Sequence, residues 1–122
     1  MIVRHLTGDP PVLAARATAA LAGSGGLLLA DLVVAECVYV LESFYEVERP
    51  RVAELMRAAI ALPSIAVLDA PALRRALEVY ELDRLDFAEA YLVAQAEVTG
   101  VDAIMSFDRS IDRVETIRRV EP

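Results

Sequence analysis

Glu36, Asp86, Glu89 and Asp108 are the side chains whose type and spacing could do chemistry. Carboxylates brought together repel one another unless a hard cation neutralises them, and Mg²⁺ or Mn²⁺ takes oxygen ligands together with several waters. Asp86 and Glu89 stand three apart, so on a helix both can face the same side. Asp31 and Glu36 follow the apolar run Leu27-Leu28-Leu29, and Asp108 follows Ala103-Ile104-Met105. Each acid also has an ordinary structural reading. Asp31 is most simply a helix cap. Asp86 could cap its own helix and Glu89 could be a first-turn acid that suits the helix dipole, so spacing alone leaves this pair open between the two roles. Asp108 taken singly reads as a loop acid. Glu36 resists such a reading, because it interrupts Val33-Val34-Ala35 and Cys37-Val38, where an unpaired charge would be costly. His5 has no histidine companion, which favours an exposed or capping role over zinc binding, and Cys37 reads as core packing.

The elements that must position these acids alternate. Asp9 with Pro10 opens a helix that runs to about residue 22, where Gly23-Ser24-Gly25-Gly26 stops it. A short buried strand is expected over 27–29, then a helix capped by Asp31 to about residue 46. Pro50 opens a helix to residue 61, a strand follows over 65–68, and Pro71 starts a helix to residue 80. Residues 86–99 read as a helix ended by Gly100, residues 103–105 as a strand, 106–112 as a polar turn and 116–120 as a last strand candidate. Strands alternating with helices on short links imply right-handed crossovers and a mainly parallel sheet covered on both faces. In such a sheet ligands gather beyond the carboxyl ends of the strands, which is where the acids fall.

Composition narrows the function classes. The 122 residues suit one domain over 1–122, and 57% hydrophobic residues suit a folded chain with apolar surface to spare for another chain. Twelve basic and nineteen acidic residues give a net charge of −7, which argues against coating nucleic acid by charge neutralisation but leaves room for an acidic metal site. Every basic residue other than His5 is arginine, so phosphate-loop, Schiff-base and receiver lysines are excluded. The single cysteine suits a reducing cytoplasm. Residues 1–8 carry no secretory pattern. The oily stretch 27–41 is interrupted by Asp31 and Glu36, so no membrane span is expected.

The motifs Asp31-Leu32-Val33-Val34-Ala35-Glu36, Leu85-Asp86-Phe87-Ala88-Glu89-Ala90-Tyr91-Leu92-Val93-Ala94 and Ser106-Phe107-Asp108, in that order and spacing, resemble those of PIN-domain proteins, in particular VapC-type toxins of bacterial toxin-antitoxin pairs. The likeness runs nearly the whole chain, and Val3 to Asp9 resembles the segment after the family's first motif. It implies a PIN-like α/β/α sandwich with a mainly parallel central sheet. It also implies a Mg²⁺- or Mn²⁺-dependent ribonuclease in which Glu36, Glu89 and Asp108 match the second, third and fourth acids and Asp86 a frequent extra one. Implied partners are an RNA substrate, a VapB-like antitoxin and a second copy of the chain in a homodimer, all in the cytoplasm.

Two departures accompany the resemblance. The third acid is normally aspartate and here is Glu89, one methylene longer. The strand ending in Asp-x-Asn or Asp-x-Ser that opens the family's chain has no counterpart, and the sequence contains no asparagine, so the first acid is expected upstream of Met1. The alternative is a non-catalytic or degenerate PIN domain that serves as a protein-binding module. Arg109 and Arg113 flank the last motif as candidate phosphate holders, against the commoner role of pairing with nearby acids.

Overall fold

Gly8 and Gly100 each close a helix with a left-handed backbone, at φ of 70° and 77°, a conformation in which a Cβ would be strained. Between and around these stops, the computed structural model describes residues 1–23 and 25–122, in two compact units, Met1–Leu68 and Asp69–Pro122. No element was expected over residues 1–8, and the first unit opens there with the short helix α1 (Ile2–Thr7). Six residues are too few to show a helical period, so its stability comes from packing on the next helix.

Helix α2 (Pro11–Gly23) has Pro11 as its first residue and buries Ala14, Ala17 and Leu21. The glycine-rich turn expected after it includes Ser24, which lies outside the described residues. Strand β1 (Leu27–Leu28) pairs in parallel with β2 (Ile65–Ala66), Leu27 opposite Ile65 and Leu28 opposite Ala66. Both are shorter than the apolar runs that announced them. Helix α3 (Asp31–Ser43) buries Val34, Cys37, Val38 and Leu41, so the core role of Cys37 holds. It ends at Ser43, short of the expected residue 46, where Glu46 takes a positive φ of 53° that no helix continues through. Helix α4 (Arg49–Ile60) packs on α3 and buries Val52, Ala53, Met56, Ala59 and Ile60. His5 bonds Thr18 between α1 and α2 at 2.8 Å, the plain structural role that a lone histidine suggests.

In the second unit the Asp69 carboxylate accepts from the Ala72 amide at 3.0 Å and starts α5 (Ala70–Leu82). Its apolar face, Leu73, Ala76, Leu77 and Tyr80, is fully buried, and α5 packs along α6 (Phe87–Thr99). Burying each large side chain there is worth about 1.5–3 kcal/mol. Phe87 meets Tyr80 edge-on at 6.2 Å and stacks on Tyr91 at 6.3 Å. Arg75 crosses from α5 to grip both carboxylate oxygens of Glu97 on α6, at 2.8 and 3.0 Å. Strand β3 (Ala103–Met105) pairs in parallel with β4 (Arg118–Val120), and a 3₁₀ helix (Arg109–Arg113) lies between them.

All described strand pairing is parallel, as alternating strands and helices require. The strands form two separate two-stranded ladders, β1 with β2 and β3 with β4. This is a helix-rich α/β fold with small parallel sheets, consistent with the PIN-like fold that the resemblance implies. Among the described residues, no helix is long and apolar enough to cross a membrane.

Candidate functional site

Three of the four candidate acids lie in the second unit. Asp86 occupies the N-cap position of α6, yet among the described residues its carboxylate makes no capping hydrogen bond. The capping account of Asp86 is therefore fulfilled in position and not in bonding. One turn on, Glu89 is half-buried, and its Oε2 is sealed from solvent with no hydrogen-bond partner among the described residues. Glu89 stands in the first turn of α6, as the dipole reading has it, but dipole placement does not by itself account for the sealed oxygen. Burial pushes the Glu89 carboxyl up from its usual range, and the charges of Asp108 and Asp86 push it further.

Asp108 follows β3 through Ser106 and Phe107. The Ser106 hydroxyl accepts from the Asp108 amide at 3.0 Å, and Asp108 Oδ1 in turn accepts from the Ser110 amide at 2.9 Å. These bonds make Asp108 the cap of the 3₁₀ helix, a more defined role than that of a loop acid. Ser110 holds the Asp108 carboxyl below the usual range, with Arg113 and Arg119 adding to the effect. The two neighbouring acids are thus driven apart: Asp108 gives up its proton easily and Glu89 keeps its proton longer.

Arginines fix the frame around Asp108. Arg119 on β4 donates to the Ser106 carbonyl at 3.0 Å and pairs with Asp112, also at 3.0 Å. Arg113 donates to the Arg84 carbonyl at 3.0 Å and to the Asp83 carbonyl at 3.5 Å, so its Nη1 is engaged by backbone. The sequence offered a signal for the capping bonds, the Ser-x-Asp-x-Ser spacing of residues 106–110. It offered none for the backbone bonds of Arg113 and Arg119, which depend on tertiary placement.

The remaining candidate, Glu36, lies in the first unit on α3, as does Asp31. Ala30, not Asp31, takes the N-cap position, which places Asp31 in the first helical turn. Glu36 is exposed to solvent. The expectation that Glu36 is a costly charge among apolar neighbours is therefore corrected: Val34, Cys37 and Val38 turn inward while Glu36 lies on the opposite, wet face with Leu32 and Tyr39.

A divalent cation suits the second-unit acids in two respects. Their donors are hard oxygens, and a cation would neutralise the repulsion on Glu89 and occupy its orphaned buried oxygen. Within this unit, the described acids do not form a group of three metal-binding side chains. A Mg²⁺ or Mn²⁺ ion held by few carboxylates would complete its shell with water. A groove of about 350 Å³ runs along α6 and β3, with Leu92, Val101 and Met105 at its sides.

Comparison with protein families gives a match to the PIN domain over residues 1–117. Searches of curated proteins and of solved structures return no match.

Proposed function

The chain belongs to the PIN domain family, a family of nucleases that generally use divalent metal, and from this we propose that it is a ribonuclease toxin of the VapC type. In this reading it cleaves RNA phosphodiesters with Mg²⁺ or Mn²⁺ and is held silent by a VapB-like antitoxin. The observation that carries the reading is Glu89, a half-buried carboxylate with a solvent-sealed oxygen unbonded among the described residues and two acidic neighbours that raise its proton affinity. Structural acids are commonly paired or solvated; among the described residues the Oε2 of Glu89 is neither.

By the family resemblance Glu36, Glu89 and Asp108 are the proposed cation ligands, with Asp86 as a frequent extra one. Bound there, a divalent ion supplies an acidified water and neutralises charge on the leaving oxygen. The chain's own contribution is preorganisation. Ser110 keeps Asp108 ionised, so one ligand is already an anion. Glu89 must release its proton to bind, which ties affinity to pH. The antitoxin and homodimer parts of the reading draw support from exposed apolar surface, including the groove beside β3 and the exposed Leu32, Tyr39 and Phe44.

Incubating the purified protein with end-labelled RNA, with Mn²⁺, Mg²⁺ or EDTA, tests the activity. Cleavage that requires the metal and disappears in Glu36→Gln and Asp108→Asn is expected. Cleavage indifferent to EDTA or to both substitutions refutes it. Co-expression with the product of the adjacent gene tests the partner, and size-exclusion chromatography tests the dimer.

A second reading, a non-catalytic PIN domain that binds a protein partner, has one observation in its favour: the described acids of the second unit make no three-ligand group. Titration with Mn²⁺ separates the two, since a binding module takes up no metal that Glu89→Gln abolishes.

A further inference from the structure

The segment that carries Asp108 and the segment that leads into Asp86 and Glu89 are far apart in sequence, and one side chain joins them. Arg113, at the end of the 3₁₀ helix that Asp108 caps, donates Nη1 to the carbonyl of Arg84 at 3.0 Å and to that of Asp83 at 3.5 Å. Asp83 is the C-cap of α5, and Arg84 lies two residues before Asp86. Arg84 itself sits at φ of 61°, a left-handed conformation that a residue with a Cβ adopts only when its surroundings hold it there. The carbonyl that Arg113 grips belongs to this strained residue. At the other end, the Asp108 carboxylate is bonded to the Ser110 amide, so the 3₁₀ turn transmits the grip to the acid.

We propose that Arg113 is a positioning residue, whose guanidinium clamps the left-handed turn at Arg84 to the Asp108 loop and thereby sets the spacing of Asp108 against Asp86 and Glu89. The inference rests on the reading of these acids as cation ligands. It assigns Arg113 to backbone and not to RNA phosphate.

Charge and position make opposite demands here, which gives the test its sign. The positive charge of Arg113, on the 3₁₀ helix that Asp108 caps, would as a mere charge compete with a bound cation. Removing it would then tighten metal binding. If Arg113 positions the ligands, removing it weakens binding, and outer-shell partners of metal ligands typically change affinity about 10–100-fold.

The experiment measures Mn²⁺ affinity by electron paramagnetic resonance of the free ion, for the wild-type chain, Arg113→Met and Glu89→Gln. Amide hydrogen exchange is followed without metal in the same proteins. Arg113→Met is expected to bind Mn²⁺ about tenfold more weakly or worse. Its Asp83 and Ser110 amides should exchange about tenfold faster, while interior amides of α5 and α6 stay as in wild type. Unchanged or tighter Mn²⁺ binding in Arg113→Met, with Glu89→Gln impaired, overturns the positioning role and keeps the metal reading. Wild-type-like Mn²⁺ binding in Glu89→Gln removes the metal reading. Exchange at Asp83 and Ser110 then decides the clamp by itself, and unchanged exchange there overturns it whatever the metal does.

Discussion

Replacing Glu89 by glutamine should stabilise the metal-free protein and abolish its response to metal. The carboxylate has one oxygen sealed from solvent without a partner among the described residues, and Asp108 and Asp86 repel its charge. Leaving a buried polar atom unsatisfied costs about 1–3 kcal/mol, and because Glu89 is half-buried the lower end applies. Glutamine keeps the shape, carries no charge and offers an N–H₂ to the neighbouring carboxylates. A gain of about 1 kcal/mol at pH 7 follows, or about 3–5 °C in Tm for a chain of this size. The pH dependence has a definite sign. A carboxyl held above its ordinary value when folded contributes stability below its unfolded pKa, and that contribution is lost as pH rises through the folded pKa. The advantage of glutamine should therefore appear at neutral pH and shrink as both forms become neutral in acid. Metal reverses the order: free Mn²⁺ at about 100 times Kd stabilises the wild type by about 2.7 kcal/mol and leaves Glu89→Gln unmoved. Thermal melts by circular dichroism, at neutral and acid pH with and without Mn²⁺, contain the whole comparison. A glutamine variant that melts below wild type without metal at pH 7 would show that Glu89 makes stabilising bonds and would refute the reasoning.

Glu36→Gln should abolish metal-dependent RNA cleavage while shifting stability by no more than about 0.5 kcal/mol, because the side chain is exposed; cleavage assays and denaturant midpoints on one preparation check both halves. Asp108→Ala should cost about 1 kcal/mol at neutral pH through loss of the cap. That cost should fade on acidification, since a carboxyl held below its ordinary value contributes stability above the unfolded pKa and loses it as pH falls through the folded pKa; urea titrations at several pH values read the trend. Leu77→Ala, at a fully buried position of α5, should cost about 2–5 kcal/mol, and a melting temperature within 2–3 °C of wild type would contradict the burial. Mn²⁺ affinity should rise with pH as Glu89 gives up its proton, and a flat profile in calorimetric titrations would exclude Glu89 as a ligand.

Much of this was legible in the residues themselves. Helical period and stop signals placed α6 and β3 at their observed positions, because Gly100 punctuates a strong apolar pattern and local sequence dominates there. The order of acids after strands also carried the family resemblance, which the match over residues 1–117 bears out at the level of the PIN domain. Local pattern misled where burial is a property of the partner surface. Glu36 stands among apolar letters but turns outward on α3, since neighbours in sequence occupy different faces of a helix. The cap of α3 moved to Ala30, because the backbone entering a helix is set by the preceding strand as much as by capping preference. Helix α1 gave too short a pattern to read.

Sequence alone determined which residues could bind a hard cation and which helices carry them, because residue type and helical period are local quantities. Only the tertiary structure decided that Glu89 is half-buried with an oxygen unbonded among the described residues, and that Arg113 spends its Nη1 on the turn at Arg84. Each of these depends on contacts between segments distant in sequence. Desolvation and Coulomb interaction act through space, so the proton affinity of a carboxyl becomes defined once the chain has folded around it.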